Sequence, residues 1–446
     1  MKHVLCLLWM AAVLTAQAQT TRQPSRILIT DIGIFNGKDN RITTANILIE
    51  GNLIKTISAQ PIPTDKSAMV QVINGKGYYA MPGLIDAHTH LMFESIPKMK
   101  ALTADYAYLT LFAAKAMEQQ LLRGFTTVRD LGGGALVLQK AVNDGLYPGP
   151  RIFASGAMIS QTGGHGDFGF PTDVPRVPGQ LSYAERNGIV AIADGADLVL
   201  MRSREQLRQG ATQLKLMAGG GVSSDYDPLD VTQYTEAEFR AAVGAAENWG
   251  TYVTVHAYTP DAIQAAIRSG VRCIDHGQLA DEATAKLMAE KGVWWSLQPF
   301  LNDEDANPQP EGSANRAKQL EMSAGTDNAY QLAKKYKVKT AFGTDCLFDA
   351  SLAKRQGKQL AKLTRWYTPF EVLKMATYDN AQLLAMSGKR SPYQAGKLGE
   401  ISEGAYADLL IVNGNPLENI QLIVDPEQHF KVIVKDGVVY KNTLGQ

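Results

Sequence analysis

The chain has 446 residues, with 44 lysines and arginines against 44 aspartates and glutamates, so its formal net charge is zero. With 45% hydrophobic and 20% charged residues, the composition excludes a mainly disordered, collagenous or low-complexity protein. Neutrality supplies no bulk electrostatic case for a nucleic-acid or anionic-membrane partner.

Lys2, the apolar stretch Val4–Leu14 and the small-x-small run Ala16-Gln17-Ala18 predict a secretory signal peptide over residues 1–18. The apolar stretch is too short for an ordinary membrane span. An exported protein, periplasmic or secreted and without stable membrane insertion, is therefore expected. Cys273 and Cys346 remain after cleavage and read as buried thiols, with their pairing open.

Residues 27–80 read as short strands. Ile27-Leu28-Ile29, Ile47-Leu48-Ile49 and Val70–Ile73 are strand cores, with Asn36-Gly37, Gly51-Asn52 and Asn74-Gly75 as hairpin-type turns. The far end repeats this pattern at Ala407–Val412, Lys431–Lys435 and Val438–Tyr440, with Asp436-Gly437 as a turn. One small β-sandwich domain made from residues 19–80 and 401–446 is expected, with residues 81–400 inserted between its halves.

The insertion alternates strands and helices. Strands are expected at Leu84–Ala87, Thr126–Arg129, Ile152–Ala154, Gln213–Met217, Tyr252–His256, Arg272–Asp275, Val293–Leu297 and Thr340–Phe342. Helices are expected at Ala104–Leu122, Ala237–Asn248, Pro260–Ser269, Asp281–Lys291 and Pro369–Met386. Eight strands point to an α/β fold, a (β/α)8 TIM barrel, with a doubly wound sheet as runner-up. Polar residues 302–319, broken by Pro308 and Pro310, predict an exposed loop.

Only seven histidines occur, and four fall at predicted strand ends. His88 and His90 are two residues apart in Asp86-Ala87-His88-Thr89-His90, a spacing that shares one face of a strand and permits ligation of one metal. His256, His276 and Asp345 likewise sit at or just beyond strand C-termini, where barrel active sites assemble. Imidazole and carboxylate donors suit Zn²⁺ and similar divalent ions. Lys215 lies in the apolar strand Gln213–Met217. A buried ammonium must be paired or chemically changed, or its stem must snorkel, and spacing leaves these readings level.

Pro82-Gly83-Leu84-Ile85-Asp86-Ala87-His88-Thr89-His90, Gly124–Asp130 and Gly399–Leu409 together resemble the amidohydrolase superfamily of metal-dependent hydrolases, over essentially the whole mature chain. The resemblance implies that His88 and His90 hold one metal with Asp345, and that His256 and His276 hold a second. It also implies that a carboxylated Lys215 bridges the two ions, and that Asp345 handles the proton of the attacking water. Ser160–Asp167, Gly219–Ser224 and His256-Ala257-Tyr258 are similar to the branch of Xaa-Pro dipeptidase-like enzymes, arginine or lysine carboxypeptidases and ochratoxin amidases. That branch implies a peptide or N-acyl amino acid substrate with a free C-terminal carboxylate, ochratoxin A among them, and a homo-oligomer.

His165, between glycines on a loop, is expected to contact substrate or support the transition state. Tyr258 and Tyr226 are expected to bind substrate, Tyr258 through the substrate carboxylate. Arg129 and Asp130 read as a structural pair, and Gly132-Gly133-Gly134 lacks the pattern and lysine of a phosphate loop. Two other readings stand beside the amidase: a cyclic-amide or lactone hydrolase or deaminase on the same scaffold, and a non-catalytic exported metal-binding protein.

Overall fold

The computed structural model describes residues 26–65, 69–177 and 179–444. The expected signal segment, residues 1–18, lies outside the described residues.

The two chain ends meet in one sheet. Strands β1 (Arg26–Phe35), β2 (Ile42–Glu50), β3 (Leu53–Ser58), β4 (Val70–Asn74) and β5 (Tyr79–Pro82) come from the N-terminal side. They join three C-terminal strands in a mixed sheet ordered β18-β17-β16-β5-β1-β2-β3, with β4 beside β1; β16 is Leu409–Val412, β17 is Phe430–Lys435 and β18 is Val438–Asn442. The join is the antiparallel pairing of β5 with β16, which sets Met81 against Leu410. Strand alternation explains why these runs are apolar throughout. Leu409 and Ile411 pack with Ile27, Ile29 and Ile47 on one face, while Leu410 and Val412 turn to the main core with Phe35 and Met81.

Two of the expected turns close antiparallel pairs as anticipated, Gly51-Asn52 between β2 and β3 and Asp436-Gly437 between β17 and β18. Asn74-Gly75 does not close a hairpin. β4 runs parallel to β1, so the chain leaving it crosses to β5 instead of folding back.

Between these ends, all eight expected strands form, each within two residues of the expected bounds: β6 (Leu84–Thr89), β7 (Phe125–Asp130), β8 (Arg151–Ala154), β11 (Leu214–Met217), β12 (Val253–Ala257), β13 (Cys273–His276), β14 (Trp294–Leu297) and β15 (Lys339–Phe342). Two further strands, β9 (Met158–Ser160) and β10 (Val190–Ile192), have three residues each, too few to show a pattern in the sequence. The strands form a parallel sheet β6-β7-β8 and a second parallel sheet β10-β9-β11-β12-β13-β14-β15. Backbone bonds link the two, from Thr212 N to Ala154 O and from Asp345 N to His88 O, both 2.8 Å.

The expected helix at 369–386 is interrupted. Pro369–Lys374 runs into a π-turn at Met375–Asp379 before Asn380–Leu384. π-Turns often serve a local purpose. Here the following Asn380 donates from Nδ2 to the carbonyls of Ile85 and Phe342, 2.7 and 2.8 Å away, and so joins β6 to β15. The expected loop at 302–319 is also corrected. Its last third belongs to helix Ala314–Ala324, capped by the Ser313 hydroxyl, and Asp305 near its start is buried.

Candidate active site

His88, His90, His165, Lys215, His256, Tyr258, His276 and Asp345 all line one cavity, which encloses about 1270 Å³ of empty space, part of it open to solvent. Tyr226 does not line it and is 57% exposed, so the structure does not bring it to the site.

The strand ends deliver these side chains. His88 comes from β6 and His90 from the residue after it. Their Nε2 atoms lie 3.5 and 3.4 Å from the same oxygen, Asp345 Oδ1. His276 and Asp345 both have positive φ, 77° and 46°. Such backbone costs of order 1–3 kcal/mol per residue and gathers at functional sites. At His276 its effect is visible. Cys273 and Asp275 share the inner face of β13, and Ile274 packs outward in the core, so simple alternation would send His276 outward too. The turn at His276 brings Asp275 and His276 to one centre.

Hydrogen bonds then fix the rings. His90 Nδ1 sits 3.0 Å from Gly132 O, and His276 Nδ1 sits 2.8 Å from Gln298 Oε1, which leaves Nε2 of each ring for the centre. Gln298 Nε2 also reaches His88 Nδ1 at 3.3 Å. Gln298 immediately follows β14, the same kind of position that singles out the histidines, and so was within reach of the sequence argument. His256 Nε2 lies 3.0 Å from Gly220 O, leaving its Nδ1 for a ligand.

These donors fit a metal. His88 Nε2 and Asp345 Oδ1 are buried and have no hydrogen-bond partner, a costly state for polar atoms that a shared cation would relieve. His88, His276 and Asp345 bring ligand atoms within 4.8 Å of one another. This grouping takes one histidine from each of the two sets expected from the sequence. Burial pushes His90 down to about 4 and holds His88, His256 and His276 well below the ordinary imidazole value. The rings are therefore neutral at neutral pH, the form that ligates.

Lys215 does not snorkel. It is fully buried, and its Nζ donates to Asp275 Oδ2 at 2.6 Å. Asp275 also accepts from Thr254 Oγ1 at 2.7 Å and from Arg129 Nη2 at 2.7 Å. Arg129 thus pairs with Asp275 and not with Asp130. Neighbouring strand residues face opposite ways, and Asp130 instead accepts from Leu91 N and Gly132 N. Cys273 and Cys346 are free, buried thiols.

His165 stacks on His256 with ring centroids 4.0 Å apart. Its Nδ1 meets Ser224 Oγ at 2.7 Å and Asp227 Oδ2 at 3.2 Å. Asp227 also accepts from Gly221 N at 2.8 Å, and Lys318 Nζ donates to the carbonyls of Gly221, Ser224 and Asp227. Asp227 and Lys318 carried no sequence signal, because they act across a loop and a distant helix. Tyr258 is buried beside His256 and His276, at centroid distances of 5.0 and 5.2 Å.

The sequence pattern of the amidohydrolase family matches residues 79–441. The chain belongs to this family. It is 33% identical over 360 residues to an ochratoxinase of Aspergillus niger, covering 78% of this chain and 72% of that protein. A solved prolidase complexed with N-methylphosphonate-L-proline superposes with a TM-score of 0.83 at 33% identity, over 94% of this chain and all of that one. A Xaa-Pro dipeptidase with bound methionine in its active site gives 0.80 at 28% identity, again over 94% and 100%. The protein is a hydrolase of the amidohydrolase superfamily, and its neighbours carry an α/β TIM-barrel fold. Among the described residues no helix is long and apolar enough to cross a membrane.

Proposed function

We propose that the protein is a metal-dependent amidase or peptidase. It cleaves the amide bond of a dipeptide or an N-acyl amino acid with a free C-terminal carboxylate, and ochratoxin A belongs to that substrate class. The observation that carries this reading is the convergence of five imidazoles, Lys215 and Asp345 on one cavity, with His88 Nε2 and Asp345 Oδ1 buried and without a hydrogen-bond partner. The names of the ochratoxinase, prolidase and dipeptidase relatives support the amide bond and the carboxylate.

In this proposal His88, His90 and Asp345 would hold one divalent ion and His256 and His276 a second, zinc being the metal that such donors suit. Lys215, carboxylated on its amine, would supply further anionic oxygen donors to these ions. When bound, the ions activate water at neutral pH and polarise the scissile carbonyl. Asp345 takes the proton of the attacking water and delivers it to the leaving nitrogen, an exchange suited to a carboxylate held at the centre. His165, held by Asp227 and Ser224, faces the cavity beside His256 and supports the developing charge on the carbonyl oxygen. Tyr258 directs its ring and hydroxyl to the substrate. Carboxylation of Lys215 leaves Asp275 its bonds from Arg129 and Thr254, so its negative charge stays compensated.

The proposal extends to architecture and location. The two parallel sheets close into one (β/α)8 barrel over residues 81–400. The terminal strands form a β-sandwich domain beside it. The chain is exported after cleavage of residues 1–18, to the periplasm or outside the cell, and assembles with copies of itself.

Metal analysis of the purified protein joined to a substrate screen tests the reading. Release of a free amino acid from dipeptides or N-acyl amino acids supports it. Activity on lactones or cyclic ureas, with none on carboxylate-bearing amides, rejects it. Bicarbonate-dependent activity, with a mass increase of one carbon dioxide on the Lys215 peptide, tests the carboxylation separately.

A further inference from the structure

The proposed metal-binding residues take up only part of the cavity lining; the rest combines two apolar surfaces with neutral polar residues such as Asn302, Asn307, Gln309 and Gln319. One wall belongs to the core cluster that contains Phe93 and Met158, against which the half-buried Phe168 and Phe348 pack. A second apolar surface belongs to a separate cluster built on Met322 and Tyr258, with Phe300 packed against it. Phe300 also stacks 6.2 Å from His276, so this wall reaches the centre itself.

The charges around the cavity are already committed. Among the described residues lining it, the carboxylates are Asp345, at the centre, and Asp305. Asp305 is ringed by cations, with Arg355 Nε and Lys358 Nζ each 3.1 Å away and Lys362 Nζ 3.5 Å away. Lys362, with Lys215 one of the two lysines among the described lining residues, is held in turn by Asp303 at 2.8 Å. A lysyl or arginyl side chain entering here would lose water and gain no free carboxylate, which is costly. A large apolar side chain would gain two aromatic and thioether walls.

We infer that the substrate carries uncharged, large apolar or aromatic groups next to the scissile amide, and that basic residues are rejected. This inference rests on the amide-hydrolase reading and narrows it. It separates the chain from carboxypeptidases that act on arginine or lysine. The walls of Phe168 and Phe300 are the surfaces that make the distinction.

The test is a matched panel of dipeptides on the metal-loaded full chain: Leu-Phe, Phe-Leu, Leu-Lys, Lys-Leu, Leu-Arg and Arg-Leu. The expected kcat/KM for the two apolar members exceeds that for the basic members by about ten- to a hundredfold, the range that burial of one large apolar side chain gives. Phe168→Glu and Phe300→Glu place a free carboxylate in each wall in turn. At least one of them is expected to raise the ratio of basic to apolar cleavage by about tenfold or more. Basic dipeptides cleaved as well as apolar ones by the wild type would overturn the inference while leaving the amidase reading intact. Unchanged ratios in both variants, with protein that folds and binds metal normally, would overturn the assignment of these walls. If no amide with a free carboxylate is cleaved, the amidase reading falls and this inference falls with it.

Discussion

Lys215 and Asp275 form a fully buried ion pair, with Nζ 2.6 Å from Oδ2, and Asp275 is simultaneously the acceptor for Arg129. Two cations thus share one carboxylate. Loss of Asp275 leaves both uncompensated, whereas loss of Lys215 leaves the Arg129–Asp275 pair whole. Breaking a buried pair from one side costs about 3–5 kcal/mol. Asp275→Asn is therefore expected to destabilise the metal-free protein by that order, and Lys215→Met by distinctly less. Urea denaturation of both variants measures the difference.

Asp345→Ala is expected to remove proton transfer more completely than it removes metal, because the histidines remain. Turnover should fall by about 10²- to 10⁴-fold, the usual worth of a positioned proton-transfer group. Elemental analysis of the variant, beside its kcat, checks this. Unchanged turnover would end the role given to Asp345.

Gly221 lets the His165 ring lie against the backbone. A Cβ at this position would stand 1.9 Å from His165 Cε1, so Gly221→Ala must displace the imidazole. If His165 supports the transition state, kcat should fall by on the order of 10²-fold, the effect of a misplacement near 1 Å. Metal content should hold. A drop in kcat equal to a drop in metal would assign Gly221 to the centre instead.

The junction between β8 and the terminal sheet supplies a pH-dependent term. Arg151 donates to Asp408 at 2.8 Å and to Asp436 at 2.5 Å. Burial alone would raise Asp436, but the charge and hydrogen bond of Arg151 outweigh it and hold the carboxyl below its ordinary value. A carboxyl with a depressed folded-state pKa stabilises fully above its unfolded value, about 3.9 for aspartate, and loses that contribution as pH falls through the folded value. Asp436→Asn should therefore cost stability at pH 7, and the gap to wild type should shrink below about pH 4. Denaturation midpoints of both proteins across that range test the sign.

Much of this was legible in the residues, for reasons that also explain the gaps. The eight parallel strands of four to six residues show because their apolar runs are bounded by turn residues, and His88, His90, His256, His276 and Asp345 stand at their ends. Asp275 stayed hidden because alternation sets it opposite His276, and only the positive φ at His276 brings both inward. The pairing of Arg129 with Asp130 failed for the same reason, since adjacent strand residues point apart. Asn74-Gly75 has the residues of a hairpin, but pairing partners, not turn residues, decide whether the chain folds back. Asp305 and Lys318 lie in a stretch whose polarity reads as exposure, and distant partners bury the one and half-bury the other.

The most direct test measures free amino acid released from N-acyl amino acids and dipeptides before chelation, after it, and after metal is restored. The account predicts release that disappears with the metal and returns with it. Release that persists after complete removal of metal, or hydrolysis confined to lactones and cyclic substrates, would contradict it.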